Sequence, residues 1–293
     1  MTNALIGSTE PFSRPKNLAG EVVDPHSSTE HETWRLFLQN HSRFLTTHSK
    51  NVYEPYLNGF RQLELPSDRI PTTDMLNRRL LPTGWGVTFI EGDMSSPVYR
   101  DLLSRKRFPI AMNMRQRRHL YYSPTPDVVH DIIGHLPMLF HGPFREFLEH
   151  YSSATKMTRI SQLDAALYEA NLELCRLKSA TPDSQSQIDR AQGRVDAALD
   201  VLARSPSAYT RYSRLYAWSV EFGLIGSTTS YKIFGAGLLS SHREALKVLG
   251  GKTKIKRFTE KIFSSDINMS AYQSQLFVSD NFGEYNAALL SQH

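Results

Sequence analysis

The sequence predicts a mainly α-helical domain with a few short strands and an inserted αα-hairpin. Three observations carry this. Apolar residues recur at helical spacing in two runs between about residues 161 and 204: Leu163, Ala166, Leu167, Ala170 and Leu174, then Ile188, Ala191, Val195, Ala198 and Val201. Thr181-Pro182-Asp183-Ser184 separates the runs and makes them a hairpin. Strand signals are few and short, the clearest being Trp85-Gly86-Val87-Thr88-Phe89-Ile90.

Residues 1 to about 30 are rich in Ser, Thr, Pro, Gly and acids without periodicity, the composition of a flexible tail. A helix is expected from near Thr29, where Trp34, Leu36, Phe37 and Leu38 fall at helical spacing. An aromatic-rich segment, Val52 to Leu63, comes next. From Pro66 to Gly92 the Pro and Gly punctuation implies short helices and turns around the strand. Thr125 as N-cap, Pro126 at the first helical position and Asp127 in the first turn predict another helix start. Residues 31–293 read as one domain, with about 161–204 packed on it as an insertion. The end of the chain shows no sustained heptads after Phe277 to Leu290, so a monomer or small homo-oligomer is expected.

Composition excludes several function classes. With 40% hydrophobic and 22% charged residues in 293, the chain can bury a substantial core. The formal charge of +5 is small for this length, although basic residues cluster at Arg105-Lys106-Arg107 and from Arg115 to Arg118. No interleaved stacking aromatics or zinc-knuckle cysteines accompany them, so solvated charge and one or two substrate-binding arginines are expected, not nucleic-acid binding. The single cysteine, Cys175, excludes an intramolecular disulfide and is expected as a small buried hydrophobe. The opening Ala4-Leu5-Ile6 is too short for a signal sequence, and no apolar run approaches a membrane span. A cytoplasmic protein with no membrane partner is expected.

The most informative segment runs from Ser123 to Pro137. At 100° per residue, Val128, Val129, Ile132, Ile133 and Leu136 cover roughly 140° of a helix. His130 and His135 stand on the other side with Gly134 between them, which suggests two imidazoles leaning over a residue without a side chain. This is not the His-Glu-x-x-His spacing of zinc proteases, because Asp131 follows the first histidine and the second comes five residues on. Glu221 lies in the nearly uncharged, aromatic run Leu215 to Gly226, where a buried carboxylate needs a cation or several donors. Two histidines and one carboxylate leave open positions on an octahedral ion, the arrangement of mononuclear iron(II) oxygenases. Structural zinc favours a closed set of four ligands.

The pattern Pro126-Asp127-x-x-His130-x-x-x-Gly134-His135-x-Pro137 resembles the pterin-dependent aromatic amino acid hydroxylases. So do Val220-Glu221-Phe222-Gly223-Leu224 and Gly235-Ala236-Gly237-Leu238-Leu239-Ser240-Ser241, in the same order along the chain. The resemblance covers roughly residues 90 to 280. It implies a mainly α catalytic domain without a regulatory domain, one Fe(II), a tetrahydropterin cosubstrate, O₂, and hydroxylation of the ring of a free aromatic amino acid. It places His130, His135 and Glu221 on the iron. It places Arg115 on the substrate carboxylate, Asp127 as the acid that orients Arg115, and Ser123 and Ser240 nearby. Trp218, Phe222 and Gly237 fall on the substrate side. Gly92, Met94, Ser96 and Tyr99 match the pterin-binding loop and its stacking ring, with Asp131 and Tyr216 close to the pterin.

This sequence departs from the pattern in several places. Ala217 stands where relatives carry a pocket tryptophan, Pro109 where they carry a histidine, and Asp131 where they carry a glutamate. Met269 occupies a loop position near the substrate ring. The apolar pocket segments favour L-phenylalanine, with para or meta attack both open. A tryptophan hydroxylase, which Ala217 would suit, remains an alternative. So do a zinc hydrolase with the same ligands and a non-catalytic metal-binding module.

Overall fold

The computed structural model describes residues 24–291 except 93, 124, 157 and 268–270. Most of the expected tail, Asp93 of the pterin-loop motif and Met269 therefore lie outside the described residues. The first helix, α1 (Ser28–His48), starts one residue before the expected Thr29. Ser27 caps it, with Glu30 closing a capping box. Its buried face includes Trp34, Phe37 and His41, and the His41 ring packs on Tyr56 and Phe60 of α2 (Glu54–Leu63), which α3 (Thr73–Leu80) follows. Trp34 anchors the following loop by donating its Nε1–H to Pro66 O at 2.9 Å.

The expected strand is β1 (Gly86–Ile90), paired in parallel with β2 (Arg107–Ala111) across α4 (Ser96–Ser104). A π-helical turn over His130–His135 and a 3₁₀ turn lead into α5 (Gly142–Thr155). The hairpin is α6 (Gln162–Ala180) and α7 (Gln185–Arg204). After it, α8 (Ala208–Tyr216) runs into a second π-turn over Ala217–Glu221. Then come β3 (Leu224–Gly226), β4 (Tyr231–Ile233), α9 (Ala236–Leu239), α10 (His242–Leu249), β5 (Lys254–Arg257), β6 (Gln275–Ser279) and α11 (Phe282–Leu290). The later strands form one sheet in the order β4-β3-β6-β5, with β3–β4 antiparallel and the other two pairs parallel.

The hairpin has its own small core of Ala170, Leu174, Ile188, Ala191 and Val195, separate from the main core. Val201, expected inside, is 53% exposed, and Leu202 is buried in its place. The buried set 188, 191, 195, 198, 202 keeps the 3-4-3-4 spacing of one helix face, which position 201 leaves. The base of the hairpin is tied down by Asp164. This buried carboxylate accepts hydrogen bonds from Ser161 beneath it and from Ser207 and Thr210 at the start of α8. Tyr168 reaches from α6 to donate to Met94 O at 3.0 Å, so the hairpin touches the loop before α4. Cys175 is free and buried in α6. Of the basic clusters, Arg105 pairs with Asp101 and Lys106 with Glu149, while Arg115 is buried. No helix among the described residues is long and apolar enough to cross a membrane.

Candidate active site

Two π-turns carry the three candidate metal ligands. The segment expected as an α-helix from Thr125 is capped instead by Asp127, whose Oδ1 accepts the His130 N–H at 2.9 Å. It then winds as a π-helix. An α-helix would hold the two histidines roughly 140° apart. The i→i+5 pitch sets His135 one turn above His130, and their Nε2 atoms come within 3.2 Å. Gly134 does not clear space for the imidazoles. A Cβ there would stand 2.8 Å from Ala236 Cβ and 2.9 Å from Ala236 O, so the glycine lets α9 pack against the turn.

Glu221 ends the second π-turn, where the Phe222 N–H bonds to Ala217 O at 3.0 Å, an i→i+5 link. Its Oε2 lies 3.2 Å from His130 Nε2 and its Oε1 lies 3.3 Å from His135 Nε2. Donors so spaced fit one ion about 2.1 Å from each. Asp131 also lies within 4.8 Å of both imidazoles. Its Oδ2, however, accepts the Ala111 N–H at 2.7 Å, and burial pushes its pKa up to about 6. Glu221 is the better third donor.

The electrostatics favour a cation. Ser240 Oγ donates to Ala236 O at 2.7 Å, so it accepts from His130 Nδ1–H at 3.0 Å and His130 Nε2 turns its lone pair toward Glu221 and His135. Burial opposes charge on His130, but Glu221 beside it raises its pKa overall. Burial opposes charge on Glu221 as well, yet His135 and His130 hold its carboxyl well below the ordinary carboxylate range. A buried carboxylate facing two imidazoles is chemically suited to a divalent ion.

On one side of this triangle a cavity opens, lined by Arg115, Tyr122, Ser123, Thr125, Pro126, His130, Glu221, Phe222, Gly237, Ser240, Ser241, Glu244 and Ala271. Five expected substrate-side residues, Arg115, Ser123, Phe222, Gly237 and Ser240, thus share one wall with two expected ligands. Asp127 sits behind them, fully buried. Arg115 lines the cavity without presenting a free guanidinium fork to it. Arg115 Nε–H and one Nη2–H go to Asp127 at 2.8 and 2.7 Å, and its Nη1–H groups go to Ser240 O and Leu120 O at 2.8 and 3.3 Å. One of five N–H donors remains for a carboxylate. Trp218 does not face the cavity: its ring packs on Phe277, and its Nε1–H bonds to Ser265 O at 3.0 Å. Ala217 is buried beside it and is not on the cavity wall.

Asp131, Tyr99 and Tyr216 are not part of that cavity wall. The two tyrosine rings meet edge-on at 5.7 Å with their hydroxyls hydrogen-bonded, and Phe108 packs on His135 at 4.8 Å. Gly92 takes a left-handed φ of 76°, turning the chain toward Met94 and Ser96, whose Oγ bonds to Tyr209 Oη.

Sequence reasoning missed two features. The first is a buried relay. Tyr56 Oη donates to Ile133 O at 2.8 Å, so it accepts from His41 Nε2–H at 2.9 Å, and His41 Nδ1 then accepts from His242 Nε2–H at 2.9 Å. The chain ends on the backbone of the first π-turn. The second is Glu244, on the buried face of α10 while Leu246 is 48% exposed. An acid and a leucine in a charged-looking helix suggest the reverse, so no local signal marks Glu244.

The sequence profile of the biopterin-dependent aromatic amino acid hydroxylases matches residues 21–176 and 186–292, leaving out only the tip of the hairpin in between. Phenylalanine-4-hydroxylase of Chromobacterium violaceum is 26% identical over 89% of this chain and 73% of its own length. Its crystal structure with bound oxidised Fe(III) superposes with a TM-score of 0.70 at 26% identity, covering 91% of this chain and 81% of that one. A second structure, with iron(III) and 7,8-dihydrobiopterin, gives a TM-score of 0.70 at 25% identity over 92% and 82%.

Proposed function

This chain belongs to the biopterin-dependent aromatic amino acid hydroxylases, and on that premise we propose that it hydroxylates the ring of free L-phenylalanine with Fe(II), a tetrahydropterin and O₂. It is a pterin-dependent aromatic amino acid monooxygenase. The zinc-hydrolase and binding-module readings of the same ligands give way to that. The observation that carries the site assignment is the triangle of His130 Nε2, His135 Nε2 and Glu221, with sides of 3.2 to 3.3 Å. Iron held there, with reduced pterin, supplies the activation of O₂ that no protein side chain can provide.

The chain's own residues bind and orient. Arg115, held rigidly by Asp127, offers its remaining N–H to the substrate carboxylate. Pro126 and Phe222 form the apolar part of the cavity wall and keep water from the reacting ring. Ser240 fixes the His130 ring through Nδ1. Gly92, Met94, Ser96, Tyr99, Asp131 and Tyr216 make up the proposed pterin side. A cytoplasmic monomer or small homo-oligomer is proposed, which fractionation and sedimentation test.

Turnover of L-phenylalanine by the iron-loaded protein, with product identification by NMR, tests the reading. A tyrosine isomer formed only with tetrahydropterin and O₂ supports it, and the same spectrum separates para from meta attack. Hydroxylation of L-tryptophan with none of phenylalanine would overturn the substrate assignment.

A further inference from the structure

The wall of the substrate cavity contains two carboxylates, and only one belongs to the proposed metal site. Both oxygens of Glu221 face the histidines, and Asp127 behind the wall is engaged by Arg115 and the His130 N–H. Glu244 is different. It is 3% exposed, lines the cavity with Arg115, Ser240 and Phe222, and accepts one hydrogen bond, from Gln273 N–H to Oε1 at 2.7 Å. No ion pair reaches it among the described residues. Lys247, one turn on, directs its Nζ over the Tyr272 ring at 5.4 Å. A carboxylate buried with one backbone donor is poorly compensated, and burial pushes its pKa up to about 7.

A free amino acid brings both a carboxylate and an ammonium into this cavity. Arg115 serves the first. The Arg115–Asp127 pair is neutral as a whole, so nothing else on the described wall is left to balance the second. We propose that Glu244 is the anchor for the α-ammonium group of the substrate, which makes the enzyme selective for α-amino acids over the corresponding aryl-propanoates. The proposal rests on the reading that the substrate is a free aromatic amino acid. It assigns Glu244 a direct contact to substrate and no part in the oxygen chemistry.

The test is calorimetric binding to anaerobic iron-loaded protein of L-phenylalanine and of 3-phenylpropanoate, which lacks only the amine, for wild type and Glu244→Gln. Losing a charge-assisted hydrogen bond is expected to weaken phenylalanine roughly 10- to 100-fold, while phenylpropanoate changes less than about threefold. Retained phenylpropanoate binding also shows that the variant is folded. If both ligands weaken together, or phenylalanine is unaffected, the assignment is overturned. A wild type that hydroxylates phenylalanine but does not discriminate between the ligands defeats this inference alone. A wild type that binds neither ligand defeats the amino acid reading and this inference with it.

Discussion

Arg115→Ala should destabilise the protein before it says anything about substrate. Its side chain is 1% exposed and that of Asp127 is 0%, and the two are joined by two hydrogen bonds of 2.7 and 2.8 Å. Truncating one partner of such a pair strands the other charge, at about 3–5 kcal/mol. The Ser240 and Leu120 carbonyls lose donors as well, each worth about 1 kcal/mol. Asp127 keeps the Arg115 and His130 backbone N–H groups at 2.8 and 2.9 Å, which offsets part of the loss. A total of about 3–5 kcal/mol follows, a large share of a typical folding free energy. Denaturant unfolding of Arg115→Ala, Asp127→Asn and the double variant measures it. The double variant should be less destabilised than the sum of the singles by about 2 kcal/mol or more. A single variant within about 1 kcal/mol of wild type, or strict additivity, refutes the reasoning.

Other perturbations reach the π-turns and the relay. Gly134→Ala drives a methyl into Ala236 and should cost about 1–3 kcal/mol, partly recovered by Ala236→Gly; unchanged unfolding would show that α9 does not need the glycine. Tyr56→Phe removes the donor to Ile133 O and the acceptor for His41, so a loss of about 1–3 kcal/mol is expected in thermal unfolding, and none would mean the relay is not formed. His242 is buried, and burial first, then the Arg115 charge, lowers its pKa from 6.5 to about 4. Its depressed pKa contributes stability above pH 6.5 that is lost as pH falls through about 4, on the order of 3 kcal/mol. The stability difference between wild type and His242→Phe, followed from pH 7 to pH 4, should shrink by about that amount; a pH-independent difference contradicts it.

Residue types and order carried much of the site. Two histidines beside a Pro-Asp start and a carboxylate in an aromatic run are visible to a reader of one sequence, because burying them is costly without a purpose. Their geometry was not visible. A 100° wheel cannot anticipate a π-turn, since an i→i+5 ladder leaves no compositional mark, and it assigned Gly134 to the imidazoles instead of to Ala236. Trp218 was misplaced for a related reason, since its side chain takes partners distant in sequence, Ser265 and Phe277; likewise nothing local showed that Asp127 and Ser240 would engage most of the Arg115 donors. The hairpin was legible down to its turn because its pattern is local; it failed at Ala166 and Val201, which are exposed, and at Val201 the choice between adjacent apolar positions depends on helix phase.

The central claim is that one iron sits between two π-turns on His130, His135 and Glu221. Anaerobic titration of metal-free protein with Fe(II), read as bound iron per chain after gel filtration, tests it most directly. Wild type should retain one equivalent, and His130→Ala, His135→Ala and Glu221→Ala should each retain little, while Asp131→Asn should still bind. Stoichiometric iron in any of the three alanine variants, in protein shown to be folded, would contradict the assignment of that residue.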